Sequence, residues 1–207
     1  MKNVLIIGKK GTGKSSLINS LIGKEAFEVG NGINPCTLKE TWFTVNGVTI
    51  RELPGLDSFD DELNEKTFNQ TIEMLTYKTY GGFKWEVDSL VVVVDVSCDN
   101  WEFLDFITDC IFYRCYRDGY KSNIVLVLNK LDKLVNDKGN QKDIETKRNE
   151  QERIYEEYFR KKCVDVTCLA CCTKGNKRSI SGSYNIDKIS EEIIRKSEVK
   201  KCVKVWR

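Results

Sequence analysis

Residues Gly8-Lys9-Lys10-Gly11-Thr12-Gly13-Lys14-Ser15 fit the pattern G-x-x-x-x-G-K-[ST] without a gap, and they follow directly on the apolar run Val4-Leu5-Ile6-Ile7. A buried strand that ends in a glycine-rich turn and then opens a helix at Lys14-Ser15-Ser16-Leu17-Ile18 leaves backbone N–H groups facing inward, and an anion fits among them. Gly8, Gly11 and Gly13 let the backbone wrap a phosphate without Cβ clashes, Lys14 reaches the β- and γ-phosphates, and the Ser15 hydroxyl can ligate Mg²⁺. The residues expected around the phosphates are Gly8, Lys9, Lys10, Gly11, Thr12, Gly13, Lys14, Ser15 and Ser16. A turn with no ligand is the plainer alternative, and it leaves the combination of strand, pattern and helix unexplained.

A chain of 207 residues is long enough for one sizeable core, so a single domain over 1–207 is expected, with the basic end 199–207 as a flexible tail. Lys and Arg number 33 against 31 Asp and Glu, and a net charge of +2 gives no reason to expect a nucleic-acid or acidic-membrane partner. With no histidine, His-based catalysis and His-ligated metals are excluded, leaving carboxylates, Lys, Arg, hydroxyls, thiols and a bound ion. Nine cysteines without small-scaffold spacing fit free thiols in a reducing, cytoplasmic compartment. Met1-Lys2-Asn3 runs straight into the first strand with no room for a signal peptide, and no apolar run approaches the roughly 20 residues that span a bilayer. A soluble chain, or one peripheral to a membrane, is expected.

Leu17, Ile18, Leu21 and Ile22 mark a helix ended by Gly23, and Phe27 to Thr37 reads as a mobile loop. Leu38–Val45 and Val48–Leu53 are β-prone runs joined by Asn46-Gly47, a strong hairpin signal. A helix over Asp60 to about Tyr80, a doubly buried strand at Leu90–Val96, a helix over 101–118 and another buried strand at Ile124–Leu128 follow. A long charged helix over Asp143–Lys162, a last strand at Cys163–Thr167, a polar loop over Lys174–Ser183 and a helix marked by Ile186, Ile189, Ile193 and Ile194 complete the chain. The sum is an α/β fold: a three-layer, doubly wound, mostly parallel sheet with one antiparallel edge strand, its ligand crevice at the carboxyl ends of the strands.

The base is chosen by Asn129-Lys130-Leu131-Asp132, which lies at the end of the strand Val125-Leu126-Val127-Leu128. A carboxylate such as Asp132 can accept from both the ring N1–H and the exocyclic amino group of guanine, a pair that adenine does not offer. Asn129 can brace the loop and the Lys130 stem can lie over the base. GTP or GDP is therefore the expected ligand, with Mg²⁺.

With these motifs in order the chain resembles the translation-factor-class GTPases with a Ras-like G domain: the phosphate loop, Thr37 in the first mobile loop, Glu52-x-x-Gly55, and Asn129-Lys130-x-Asp132. The resemblance implies that Thr37 closes on Mg²⁺ and the γ-phosphate, that the Gly55 N–H contacts the γ-phosphate, and that Lys14, Thr37 and Gly55 form the catalytic set. It implies Ser15, Thr37 and Glu52 as the metal-binding residues, Glu52 through water. Within the class, G-K-K-G-T-G-K-S-S-L-I-N-S-L-I-G and P-G-L-D look most like the immunity-associated GTPases and their septin and chloroplast-translocon relatives. Bacterial ribosome-assembly and tRNA-modification GTPases are the second resemblance, through Gly55-Leu56 and the final N-I-D-x-I helix.

Departures from the pattern bear on activity. Glu52 replaces the usual Asp, and its extra methylene moves a water-mediated metal contact outward by about 1.5 Å. Leu56 stands where a Ras-like protein carries its water-orienting glutamine, so intrinsic hydrolysis should be slow and in need of an activating partner or a second copy across the nucleotide face, with Arg51, Asp57, Ser58 and Asp60 as local candidates. The base-supporting loop is expected at Thr167-Cys168-Leu169-Ala170, with Cys168 and Leu169 beside the base. The pair Cys168 and Cys171 lacks the further ligands of a zinc site and reads as packed thiols. Lys200 to Arg207 could meet an anionic membrane with Cys202 acylated, though a solvated end is simpler. A slow GTPase switch acting on an unknown effector is the first reading, and a GTP- or GDP-holding structural module that hydrolyses little is the second.

Overall fold

The computed structural model describes residues 2–29, 40–56, 61–76, 87–113, 123–136, 139–176 and 180–194. The elements, in chain order, are β1 (Lys2–Ile7), α1 (Lys14–Ile22), β2 (Thr41–Val45), β3 (Val48–Glu52), α2 (Asp61–Thr76), β4 (Ser89–Asp95) and α3 (Trp101–Ile107). A π-helical turn (Thr108–Phe112) continues α3, followed by β5 (Asn123–Asn129), a 3₁₀ turn (Leu131–Leu134), α4 (Gln141–Lys161), β6 (Thr167–Ala170), β7 (Cys172–Asn176), β8 (Ser181–Tyr184) and α5 (Ile186–Ile194).

Six strands form one sheet in the order β2-β3-β1-β4-β5-β6. All neighbours run parallel except β2, which pairs antiparallel to β3. Asn46 and Gly47 take φ of 48° and 78°, the doubly left-handed turn that suits the twist of a two-residue hairpin. Strand alternation divides the core in two. Leu5, Ile7, Leu90, Val92, Val94, Leu126 and Leu128 face α2, α3 and α4, whereas Val4, Ile6, Val91, Val93, Val125 and Val127 face α1 and α5. Each fully buried aliphatic side chain contributes roughly 1.5–3 kcal/mol, so a doubly covered strand is held in register by both faces. That register pairs Asp95 at the end of β4 with Asn129 at the end of β5, on one rim. At the opposite rim Ser89 Oγ donates to the Ile193 carbonyl at 3.0 Å and Asn123 Nδ2 to the Glu192 carbonyl at 2.8 Å, which satisfies the open carbonyls at the end of α5.

Two expectations need correction. The last strand of the sheet is Thr167–Ala170 rather than Cys163–Thr167, because Cys163 takes a left-handed φ of 55° and the Val164 N–H still bonds back to Phe159, closing α4. Pairing begins only where Thr167 meets Val125. The stretch Lys174–Ser183 is not a plain loop: β7 and β8 form a separate hairpin in which Gly175 lies directly under the Ile180 carbonyl. Its strands are polar and carry no apolar alternation, so backbone pairing alone defines them. No helix among the described residues is long and apolar enough to cross a membrane. The tail 199–207 with Cys202 lies outside the described residues.

Candidate functional site

The phosphate loop leaves β1 at Gly8 and enters α1 at Lys14. Gly8, Gly11 and Gly13 have φ of 155°, 79° and 92°. Glycine is needed at Gly8, where a Cβ would run into the Val93 carbonyl, and at Gly13, where an L side chain would be strained and its Cβ would press on Asn129 Nδ2. Thr12 Oγ1 donates to the Lys9 carbonyl at 2.9 Å and tightens the turn. Lys14 is 6% exposed, and its Nζ donates to the carbonyls of Gly8 and Lys9 at 3.4 and 3.3 Å, so the ammonium lies inside the loop's curve. Lys9 turns its Nζ onto the Phe103 ring, 5.4 Å from the centroid, while Lys10 is exposed at the rim and Ser16 is half-buried on α1.

Strand β3 brings the second group of residues. Ser15 Oγ donates to Glu52 Oε1 at 2.9 Å, and Glu52 Oε2 is buried without a hydrogen-bond partner. Burial lowers the Lys14 pKa and raises that of Glu52, and their mutual attraction opposes each shift, as does the Ser15 hydrogen bond for Glu52. The Ser15 and Glu52 oxygens are a hard, anionic donor set at the loop's edge, and the orphaned Oε2 is the kind of atom a divalent cation satisfies. Past β3, Leu56 N donates to the Gly8 carbonyl at 3.2 Å and Lys10 N to the Leu56 carbonyl at 3.0 Å, tying the turn to the phosphate loop. A Cβ on Gly55 would lie 2.8 Å from Lys10 N and Cα and 3.0 Å from Lys14 Nζ. Thr37, Asp57, Ser58 and Asp60 lie outside the described residues, while Arg51 pairs with Glu40 at 3.6 Å.

The base-side residues gather from β5 and the segment after β6. Asn129, wholly buried, donates from Nδ2 to the Thr12 carbonyl at 2.9 Å, and its Oδ1 accepts from Thr173 N at 3.2 Å. Lys130, at φ 66°, donates to the Gly11 carbonyl at 2.6 Å and pairs with Asp95 at 2.8 Å. Asp132 accepts from the Cys172 thiol at 3.1 Å. The sequence missed Asp95, which Lys130, Lys133 and Ser97 all contact. Burial disfavours its charge, but the hydrogen bonds from Lys130, Ser97 and Lys133 outweigh that and hold the carboxyl well below the usual range. The available signal was a carboxylate closing the apolar run of β4 on the ligand rim.

Cys168 and Leu169 lie within β6, Cys168 buried in the core. The segment that reaches Asn129 and Asp132 is instead Cys171-Cys172-Thr173, a correction of three residues from Cys168 that follows from the later start of β6. Phosphate loop, Ser15–Glu52 pair and base-side residues thus form one continuous rim.

A family described as 50S ribosome-binding GTPase matches residues 3–130, more than half of the chain. Over 78 residues the chain is 35% identical to translocase of chloroplast 159 of Arabidopsis thaliana, covering 35% of this chain and 5% of that protein. Over 77 residues it is 35% identical to immune-associated nucleotide-binding protein 4 of the same plant, covering 35% and 23%. These matches span less than a quarter of either curated relative. A solved structure of the chloroplast translocon components atToc33 and psToc159, for whose GTPase activity dimerisation is described as important, aligns with a TM-score of 0.55 at 20% identity, over 93% of this chain and 81% of that one. At that identity the likeness concerns the fold alone.

Proposed function

The chain belongs to the 50S ribosome-binding GTPase family, and on that premise we propose that it is a slow, Mg²⁺-dependent switch that hydrolyses GTP to GDP and phosphate with help from a second copy or a partner protein. The sub-family reading is the immunity-associated and chloroplast-translocon type, supported by the two 35% matches. Ribosome binding belongs to the family's description and is no part of the reading.

The observation that carries the proposal is Leu56. Its backbone is fixed to Gly8 and Lys10, and its partly buried side chain packs on the core under α2 and α3, so this position offers the attacking water no polar group. The rest of the site is equipped for binding. The loop N–H groups and Lys14 take the phosphates, Asp132 takes the guanine edge, and Asn129 and Lys130 hold the two loops together. Mg²⁺ would be held by Ser15 and Glu52, and when bound it neutralises charge on the β- and γ-phosphate oxygens. Dimerisation as the source of help rests on the translocon components, in which it is important for the activity.

The test is single-turnover GTP hydrolysis with Mg²⁺ over a wide range of protein concentration. A rate per subunit that rises with concentration supports activation by a second copy, and a flat rate that rises only with added cellular protein points to another partner. Tight guanine-nucleotide binding with no phosphate released under either condition replaces the switch with a GTP-holding module.

A further inference from the structure

We propose that Asp95 and Lys133, neither of them part of the Asn129-Lys130-x-Asp132 pattern, are positioning residues that hold Asp132 to the guanine edge and so set the preference for the exocyclic amino group of the base; this rests on the guanine-nucleotide reading above. Several contacts meet at one carboxylate. The β4–β5 register sets Asp95 opposite Asn129. Ser97 donates to Asp95 Oδ1 from its hydroxyl at 2.6 Å and from its N–H at 3.0 Å, and Asn100 Nδ2 donates to the Asp95 carbonyl at 2.8 Å. Asp95 is thus fixed from the β4 side. Its other oxygen, Oδ2, accepts from Lys130 at 2.8 Å and from Lys133 at 2.9 Å.

Those two lysines flank the residue that reads the base. Lys130 enters the turn at φ 66° and ψ 36°, a left-handed conformation that is unfavourable for a residue with a side chain. Lys133 lies three positions on, in a 3₁₀ turn, where residues i and i+3 stand over one another, so both side chains fall on the Asp95 side. The Lys133 N–H closes the same turn on the Lys130 carbonyl at 3.0 Å. Between them Leu131 is wholly buried, with its N–H on the Cys171 carbonyl at 3.0 Å. The Cys172 thiol, 3.1 Å from Asp132 Oδ1, is a weak donor, so the aim of the Asp132 carboxylate depends on the turn that carries it.

Lys130 also bonds the Gly11 carbonyl at 2.6 Å, so its grip serves the phosphate loop as well as the turn. The grip of Lys133 on Asp95 serves the turn from its far end. The hydrogen bond to Asp95 raises the Lys133 pKa, and nearby charges that include Asp132 add to the rise, which makes a direct field on Asp132 the rival route from Lys133 to the base.

The test measures binding of GDP and of inosine diphosphate, which lacks the exocyclic amino group, to wild type, Asp95→Ala, Lys133→Met and Lys133→Arg, each well below its unfolding midpoint by circular dichroism. Asp95→Asn replaces Asp95→Ala if the alanine variant does not fold. Wild type is expected to prefer GDP by roughly 10–100-fold, the worth of one charge-assisted hydrogen bond. Asp95→Ala and Lys133→Met are each expected to cut that preference about 3-fold or more, while Lys133→Arg, which keeps a cationic donor for Asp95, retains most of it. A general weakening of the fold lowers both affinities alike, so an unchanged preference in Asp95→Ala and Lys133→Met overturns the proposal. A loss confined to Lys133→Met assigns the effect to the direct field and overturns it too. Wild type that binds GDP and inosine diphosphate equally well overturns the proposal and leaves the guanine-nucleotide reading standing. Wild type that binds no guanine nucleotide fails that reading and the proposal together.

Discussion

Replacing Asn129 with Ala separates the architecture of the site from its affinity for the base. The side chain is wholly buried, donating to the Thr12 carbonyl at 2.9 Å and accepting from Thr173 N at 3.2 Å, with the Cys171 thiol a weaker donor at 3.7 Å. Truncation leaves a carbonyl of the phosphate loop and an N–H of the base-side segment without these bonds. At roughly 1–2 kcal/mol for each unmet group, the loss is about 2–4 kcal/mol before any ligand is added. For a chain of this size each kcal/mol moves the melting midpoint by about 2–4 °C, so nucleotide-free Asn129→Ala should melt roughly 5–15 °C below wild type. Thermal unfolding by circular dichroism after nucleotide is stripped measures this directly. Asp132→Ala is the contrast: its carboxylate accepts from the Cys172 thiol, a weak donor, so it should lose preference for guanine over adenine with little change in the nucleotide-free midpoint. A shift below about 2 °C for Asn129→Ala, with guanine binding lost, would refute the reasoning, because Asn129 would then serve the ligand alone.

Asp95→Asn should weaken the fold most at neutral pH. Because the folded carboxyl is held below its ordinary value, its stabilisation is fully present above the unfolded pKa near 3.9 and is lost as pH falls through the folded value. The gap in urea midpoint between wild type and variant should narrow from pH 7 to pH 3, and an equal gap at both would count against the ion cluster. A thiol reagent at pH 8 should label the exposed Cys98 and Cys163 in the folded protein and spare Cys168, Cys171 and Cys172 until unfolding. Burial raises all three, Cys172 up to about 12 with Asp132 adding to the shift, and labelling of these at the rate of Cys98 would contradict their packing.

The parts legible in the sequence are those whose physics is contiguous. The phosphate loop, the Asn46-Gly47 hairpin, the doubly buried β4 and the Asn129-Lys130-x-Asp132 turn each carry their signal within a few residues. The Asp95 cluster was not readable, since its partners come from after β5 and only the β4–β5 register brings them together. The base-side segment was misplaced because the Val164–Ala170 stretch has no turn signal at its pairing start, and the left-handed Cys163 looks like any other small apolar residue. Glu52 was recognised as a departure, but its direct 2.9 Å contact with Ser15 depends on the register of β3 against β1.

The bonds between Lys10 and Leu56 and between Leu56 and Gly8 lie beyond the end of β3, as a short rung outside the main sheet. Two backbone bonds near a surface are worth roughly 1 kcal/mol net apiece, so they add about 2 kcal/mol to the packing of the Leu56 side chain in holding the rung shut. Gly55 sits inside this tethered segment, between β3 and the rung. A displacement of Gly55 by a phosphate group beside it would be carried along the peptide chain into the end of β3, and through the rung into the phosphate loop.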